Sequence, residues 1–418
     1  MEDIIITALT LFGAIIFLGF ISKFIFEKTR IPDIVWLMVL GLLVSPIFGT
    51  ETDVLFTATK IFAALALAMI LFDGGLNMDA RKTLQEFPRA TMLAVLNLIF
   101  SMIVMAAIAV SVLGWDLLSG LLLGAIVGGS SSAIVIPLVC GLKIRERIIT
   151  MLSLESAITD ALCIVIAITL LDVISKGFAG PSEIAHGIAS AFSIGAMIGL
   201  SAGFVWVHFT QELGRFPFSY RLNLAMILLV YAGVEYIHGS GAIAVLLFGV
   251  VLGNSATIGK FLKIKKALEV YEYDKETKTF QREVTFFIKV FFFVFLGVIV
   301  GMREVKIEMV VIGVILGVAL LLARIIPAAL SSMETDIGRD ERRFIVMMAP
   351  RGLAAAVLAQ MPLTYKEIPD IYASIFSDMI SLVFVIILTS IAISIAGAVT
   401  VKEETEGAKK EIVSEEGG

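Results

Sequence analysis

Thirteen stretches of about twenty apolar residues follow one another along this chain. They centre near positions 14, 40, 65, 100, 127, 160, 197, 230, 247, 294, 317, 352 and 386. A bilayer core of roughly 30 Å is crossed by about 20 residues of helix, because no water inside it can satisfy an open backbone. A chain built this way folds as a bundle of membrane helices. Composition agrees: 59% of the residues are hydrophobic and 17% are charged, against about a quarter charged in a soluble domain. The expected fold is all-α and integral to the membrane. Residues 1–399 form the transmembrane domain, 256–283 a polar linker within it, and 400–418 a charged tail expected to be disordered.

The basic residues orient the bundle. With the N-terminus outside, the cytoplasmic loops and tail hold 24 of the 32 Lys and Arg residues, and the opposite loops hold Lys176, Arg303, Lys306 and Lys366. That bias over short loops argues for an outside N-terminus and a cytoplasmic C-terminus, with the linker on the cytoplasmic side. Met1-Glu2-Asp3 lacks the positive segment of a signal peptide, so the first helix is expected to be retained. Cys140 and Cys163 read as buried thiols, and His186, His208 and His238 are too scattered for a zinc site. No basic face argues for nucleic acid, and no nucleotide-binding fingerprint or other cofactor motif occurs. Scattered histidines argue against an enzyme, and no repeated filter motif argues for a channel.

Ionisable residues at mid-membrane cost at least about 2.5–3.5 kcal/mol each by insertion scales. Those here are Asp73, Glu155, Asp160, Asp172, Lys289, Arg324, Arg351 and Asp378. In the sixth span, Asp160 sits near the middle and Ser156 lies one turn earlier on the same face. A carboxylate and a hydroxyl so placed are hard oxygen ligands, suited to Na⁺, K⁺ or a proton; the competing reading of Asp160 is a helix–helix hydrogen bond. Glu155 lies on another side of the helix and reads as half of a buried ion pair.

Two spans carry breaks. The fifth has Gly120, Gly124 and Gly128 at every fourth position, a close-packing stripe, then Gly129-Ser130-Ser131-Ser132, a poor helix. Unwound backbone at that depth needs protein or a cavity around it, and its carbonyls can take a cation. The twelfth carries Pro350-Arg351-Gly352. With span seven as connector, the broken helices hold corresponding places in two six-helix halves. That is a sequence pointer to a transporter site built from inverted repeats. Arg351 is suited to balance the ends of the broken helices, to pair with Glu155, or both. Gly195, Gly199 and Gly203 in span seven read as plain helix packing or a dimer face.

At these residues the chain resembles NhaP-type cation:proton antiporters of the monovalent cation:proton antiporter superfamily. The resemblance rests on Ile70-Leu71-Phe72-Asp73-Gly74-Gly75-Leu76, on Gly124 through Ser132, on Glu155-Ser156-Ala157-Ile158-Thr159-Asp160, on Ala323-Arg324 and on Pro350-Arg351-Gly352. It implies thirteen helices, crossed broken helices beside the ion site, a homodimer, an elevator-like motion and a prokaryotic plasma membrane. It implies that Asp160 binds the cation or the proton, Ser156 gives a hydroxyl and Ser130 a backbone carbonyl. Asp73 is then a nearby acid, Glu155 and Arg351 a stabilising pair, and Arg324 a supporting residue. Two departures stand out. The family pattern Thr-Asp-Pro is Ser130-Ser131-Ser132 here, so Ser131 replaces a second aspartate; Asn-Asp is Thr159-Asp160. The serine run resembles potassium-efflux antiporters, whose regulatory domain the tail is too short to be. One carboxylate holding either ion gives exchange by competition, expected to be electroneutral, with Na⁺ favoured over K⁺.

Overall fold

The computed structural model describes residues 2–29, 31–47, 52–76, 80–139, 144–176, 181–213, 219–255, 275–302, 306–333, 337–364 and 369–416. Among the described residues every regular element is helical. Among the described residues, six helices are long and apolar enough to cross a membrane: Gln85–Val112, Glu146–Ser175, Ala189–Phe209, Thr279–Gly301, Ile307–Ser331 and Ala373–Thr400. Shorter apolar helices accompany them, and the chain divides into two compact units.

The first unit holds Met1–Phe24, Asp33–Leu84 and Ile164–Glu304. Its helices are α1 (Glu2–Thr29, to Phe24), α2 (Asp33–Val44), α3 (Thr52–Leu76), the end of α7 (Glu146–Lys176), α8 (Pro181–Leu213), α9 (Ser219–Tyr236), α10 (Gly241–Gly253) and α11 (Lys275–Gly301). Helix α10 is its packing centre and is apolar all round, as a helix buried between neighbours must be. Phe72, Val207, Ile227, Val245 and Phe248 close the core about it. Gly195, Gly199 and Gly203 of α8 meet Ser240, Ala244 and Val251 at separations a side chain would fill, so this stripe packs within the unit. The compressed α9–α10 turn is closed by His238 at φ 58°, by Ser240 accepting from Ile243 N, and by Glu235 Oε1 accepting from Gly241 N at 2.8 Å. Lys289 of α11 is neutralised by Asp33 Oδ2 at 2.6 Å.

Most of the expected linker, 256–274, lies outside the described residues, whereas 275–283 opens helix α11. The last helix, α16 (Ala373–Glu416), continues through positions where the sequence argues for a disordered tail. Lys, Glu and Ala in that stretch are good helix formers, and Glu406 precedes Lys410 by one turn.

The second unit holds Ile25–Pro32, Gln85–Cys163 and Val305–Gly418. It contains α4 (Ala80–Val112, from Gln85), α5 (Leu117–Val127), α6 (Ser132–Val139), the start of α7, α12 (Ile307–Ala323), α13 (Ile325–Ser331), α14 (Arg339–Met347), α15 (Leu353–Leu358) and α16. The α5 stripe lies on α4: Gly120 faces Ala106, Gly124 the backbone of Met102, and Gly128 the side chain of Leu98. This brings two backbones together where no side chain fits. The same substitution should therefore act with opposite signs at two glycines. Gly124→Ala should lower the melting temperature of detergent-solubilised protein, overpacking costing about 1–3 kcal/mol. Gly233→Ala, in α9 with open space around it, should raise it slightly, since a helical Gly costs about 1 kcal/mol against Ala.

Candidate functional site

Helix α5 starts on Asp116, whose Oδ2 accepts from Leu118 N and Ser119 N at 3.0 and 3.1 Å. It ends at Val127, because Gly128-Gly129-Ser130 combines residues that favour helix least. Helix α6 restarts at Ser132, with Ser131 O accepting from Ile134 N and Val135 N. The second break runs from Met348 to Gly352, between α14 and α15. Pro350 lacks the N–H that an unbroken helix would use there.

The two breaks touch. A Cβ on Gly352 would overlap the Ser131 side chain, so glycine is required by close approach. Arg351, 1% exposed, reaches across and donates from Nη1 to Gly128 O at 3.0 Å and Gly129 O at 2.6 Å. These are carbonyls at the C-terminal end of α5, where the helix carries partial negative charge and lacks partners. Ser390 Oγ of α16 accepts from Arg351 N at 2.8 Å. The end of α14 is treated alike: Arg324 Nε donates to Ile345 O at 3.0 Å and Ser394 Oγ to Met347 O at 2.9 Å. Arg324 sits at the junction of α12 and α13 and is fully buried.

Helix α7 supplies the carboxylates. Glu155 is fully buried, and its two oxygens accept from Arg324 Nη1 and Nη2 at 2.6 and 2.7 Å. The sequence offers Arg351 as its partner; the structure gives it Arg324, while Arg351 Nη1 is used on the α5 carbonyls. One turn further, α7 is stapled to the first break. Ser156 Oγ donates to Ser130 O at 3.1 Å, Ser130 N donates to Thr159 Oγ1 at 3.3 Å, and Thr159 Oγ1 donates to Ser156 O at 3.0 Å. Asp160 is partly exposed, unlike its buried neighbours Ser156 and Thr159. A Cβ on Gly129 would stand 3.4 Å from Asp160 Oδ1, 3.6 Å from Thr159 Oγ1 and 3.3 Å from Cys163 Sγ. The carboxylate and the thiol thus both lie close to Gly129, and of the two only the thiol would be crowded by a side chain there.

Thus Asp160, Ser156, Thr159, Ser130, Ser131, Glu155, Arg324 and Arg351 come together in the second unit. Asp73, partly exposed on α3, belongs to the first unit. Cys163 is a buried free thiol; Cys140 lies outside the described residues. Asn97 of α4 is absent from the sequence-derived set. Its Nδ2 donates to Gly128 O at 2.8 Å, and it is 1% exposed. A search for charges passes over it, although it stands alone in the apolar run Ala94-Val95-Leu96-Asn97-Leu98-Ile99-Phe100.

The swapped partner has a measurable consequence. Arg324→Ala should destabilise the solubilised protein by about 3–5 kcal/mol, the range for stranding one partner of a buried pair. A double-mutant cycle with Glu155→Gln should show strong coupling for Arg324, whereas Arg351 with Glu155→Gln should couple less.

Comparison with known proteins gives the cluster its context. The family model described as the transmembrane sodium/hydrogen exchanger matches residues 13–401. The K(+)/H(+) antiporter NhaP of Alkalimonas amylolytica is 25% identical over 370 residues, covering 87% of this chain and 61% of that protein. The chain therefore spans less than two thirds of that relative's length. The probable Na(+)/H(+) antiporter 2 of Methanocaldococcus jannaschii is 25% identical over 378 residues, covering 85% of this chain and 86% of that protein. The solved structure of the sodium proton antiporter MjNhaP1 from Methanocaldococcus jannaschii at pH 8 has the same fold. Its TM-score is 0.78 at 22% identity, covering 96% of this chain and 98% of that one. By the match over nearly its whole length, the chain belongs to the sodium/hydrogen exchanger family of membrane proteins.

Proposed function

We propose that this chain is a secondary active antiporter exchanging one monovalent cation for one proton by competition at Asp160. What carries the reading is the convergence at the first break. A partly exposed carboxylate lies near Gly129 of the break, one turn along α7 from Ser156, whose hydroxyl donates to Ser130 O. These are hard oxygens of the kind that replace the water around a small monovalent cation. Ser131 and Thr159 supply further oxygens at the margin, and Asp73 is a further acid for the cation or the proton. The Glu155–Arg324 pair is structural.

Na⁺ is the favoured cation. K⁺ is the second reading, on two observations: the Ser130-Ser131-Ser132 run in place of a second aspartate, and the similarity to the K(+)/H(+) antiporter of Alkalimonas amylolytica. The transport cycle is read as elevator-like; the grouped oxygen donors all belong to one compact unit. On this reading the chain makes about thirteen passes, in two inverted six-helix repeats. The basic residues put the N-terminus outside and the C-terminus and linker in the cytoplasm of a prokaryotic cell. The working form is a homodimer in the plasma membrane.

Purified protein in proteoliposomes, assayed by dequenching of a pH-sensitive dye, tests the reading with Na⁺, K⁺ and Li⁺ in turn. Wild-type protein should give saturable proton movement with Na⁺, independent of an imposed membrane potential. Asp160→Asn should abolish it, and exchange retained in that variant overturns the assignment. A response to K⁺ alone selects the second reading, and cation flux without proton counter-movement means a channel.

A further inference from the structure

Resting on that reading, we infer that Asn97 of α4 is a positioning residue for the cation ligands: a neutral clamp that, opposite Arg351, sets where the first break lies. Gly128 O accepts from two donors at once, Asn97 Nδ2 at 2.8 Å and Arg351 Nη1 at 3.0 Å. Arg351 also holds Gly129 O, and its own backbone is fixed by Ser390. The cationic donor thus pulls the break from the side of α15 and α16, and the amide holds it to α4. The orientation of the amide follows from its partner, since its oxygen could not face another carbonyl. That leaves Asn97 Oδ1 buried with no protein partner among the described residues, so a mid-membrane helix carries a costly amide for the sake of one contact.

The contact acts on one half of the exchange. Ser130, two residues beyond Gly128, contributes its carbonyl to the cation and nothing to the proton. The proton binds Asp160, which α7 carries. Removing Asn97 leaves Gly128 O still bonded to Arg351, so no backbone carbonyl is stranded and the fold survives. The break is then held from one side only, the Ser130 carbonyl drifts from the Ser156 hydroxyl, and the cation is bound less tightly while the proton is not.

Proteoliposome dequenching with Na⁺, or with whichever cation wild-type protein exchanges, reads this directly. Asn97→Ala should raise the apparent KM for the cation about tenfold, the upper range for one hydrogen bond. The maximal rate should stay within about twofold. Because cation and proton compete, tenfold weaker cation binding moves the acidic limb of the pH profile up by about one unit at saturating cation. A tenfold higher cation concentration should restore it. Asn97→Gln keeps the donor and should recover most of the affinity, and it serves as the second variant where Asn97→Ala does not fold. An unchanged KM in a folded variant, a loss confined to the maximal rate, or failure of Asn97→Gln to recover affinity overturns the assignment. Wild-type protein without proton-coupled exchange would instead sink the proposed function itself.

Discussion

Backbone opened at membrane depth must find partners inside the protein, and the second unit is organised around that demand. Each stranded carbonyl in hydrocarbon costs several kcal/mol. Here the exposed ends of α5 and α14 are each met by an arginine: Arg351 at Gly128 and Gly129, Arg324 at Ile345. Asn97, Ser390 and Ser394 complete the arrangement with neutral contacts. Without these donors neither break would survive, and without the breaks no backbone oxygen would lie beside Asp160. The glycine stripe of α5 belongs to the same device, because it brings α4 near enough for Asn97 to reach the end of α5.

Two buried arginines bring a charge to be balanced. Glu155 balances Arg324 through both oxygens. Arg351 faces carbonyls and partial charges, and Asp160 is the remaining carboxylate of the cluster. On the proposed mechanism, Asp160 carrying a proton and Asp160 carrying a monovalent cation give the cluster the same net charge. A membrane potential acts on a moving charge at about 2.3 kcal/mol per 100 mV. It then has no preference between the two loaded forms, which is the condition for electroneutral exchange. A second aspartate at Ser131 would break that equality only by taking up a proton in one loaded form and not in the other.

The parts of this design that were legible in the sequence are local. A run of Gly and Ser, or Pro and Gly around an arginine, marks a helix that cannot continue, and both breaks lie where those residues are. Spacing along one helix also put Ser156 on the face of Asp160. Pairing was not legible, because it depends on which distant element arrives next to Glu155. Arg324 and Arg351 are both buried cations, and one-dimensional spacing cannot rank them. In the structure Arg324 takes both Glu155 oxygens, and Arg351 Nη1 goes to the α5 carbonyls. Asn97 was hidden for a different reason. Its value lies in being an uncharged donor, and a search for expensive charges overlooks an amide. The expectation of a disordered tail rests on charge-rich composition alone, and helix α16 runs on to Glu416.

The staple between α7 and the first break shows how one site can serve two ions of different demand. With Ser156 Oγ donating to Ser130 O, the two oxygens satisfy each other and neither needs a metal ion. A proton on Asp160 leaves that bond intact. On the proposed mechanism a cation does not: the hydroxyl must rotate so that its lone pair, and that of the Ser130 carbonyl, face the ion. Thr159 stays with Ser130 N and Ser156 O throughout, so the rotation does not release the backbone. The two loaded states therefore differ by one hydroxyl rotor rather than by a rearranged chain. Competition at a single carboxylate then needs no separate coupling element, and the rigidity of the two capped breaks keeps it so.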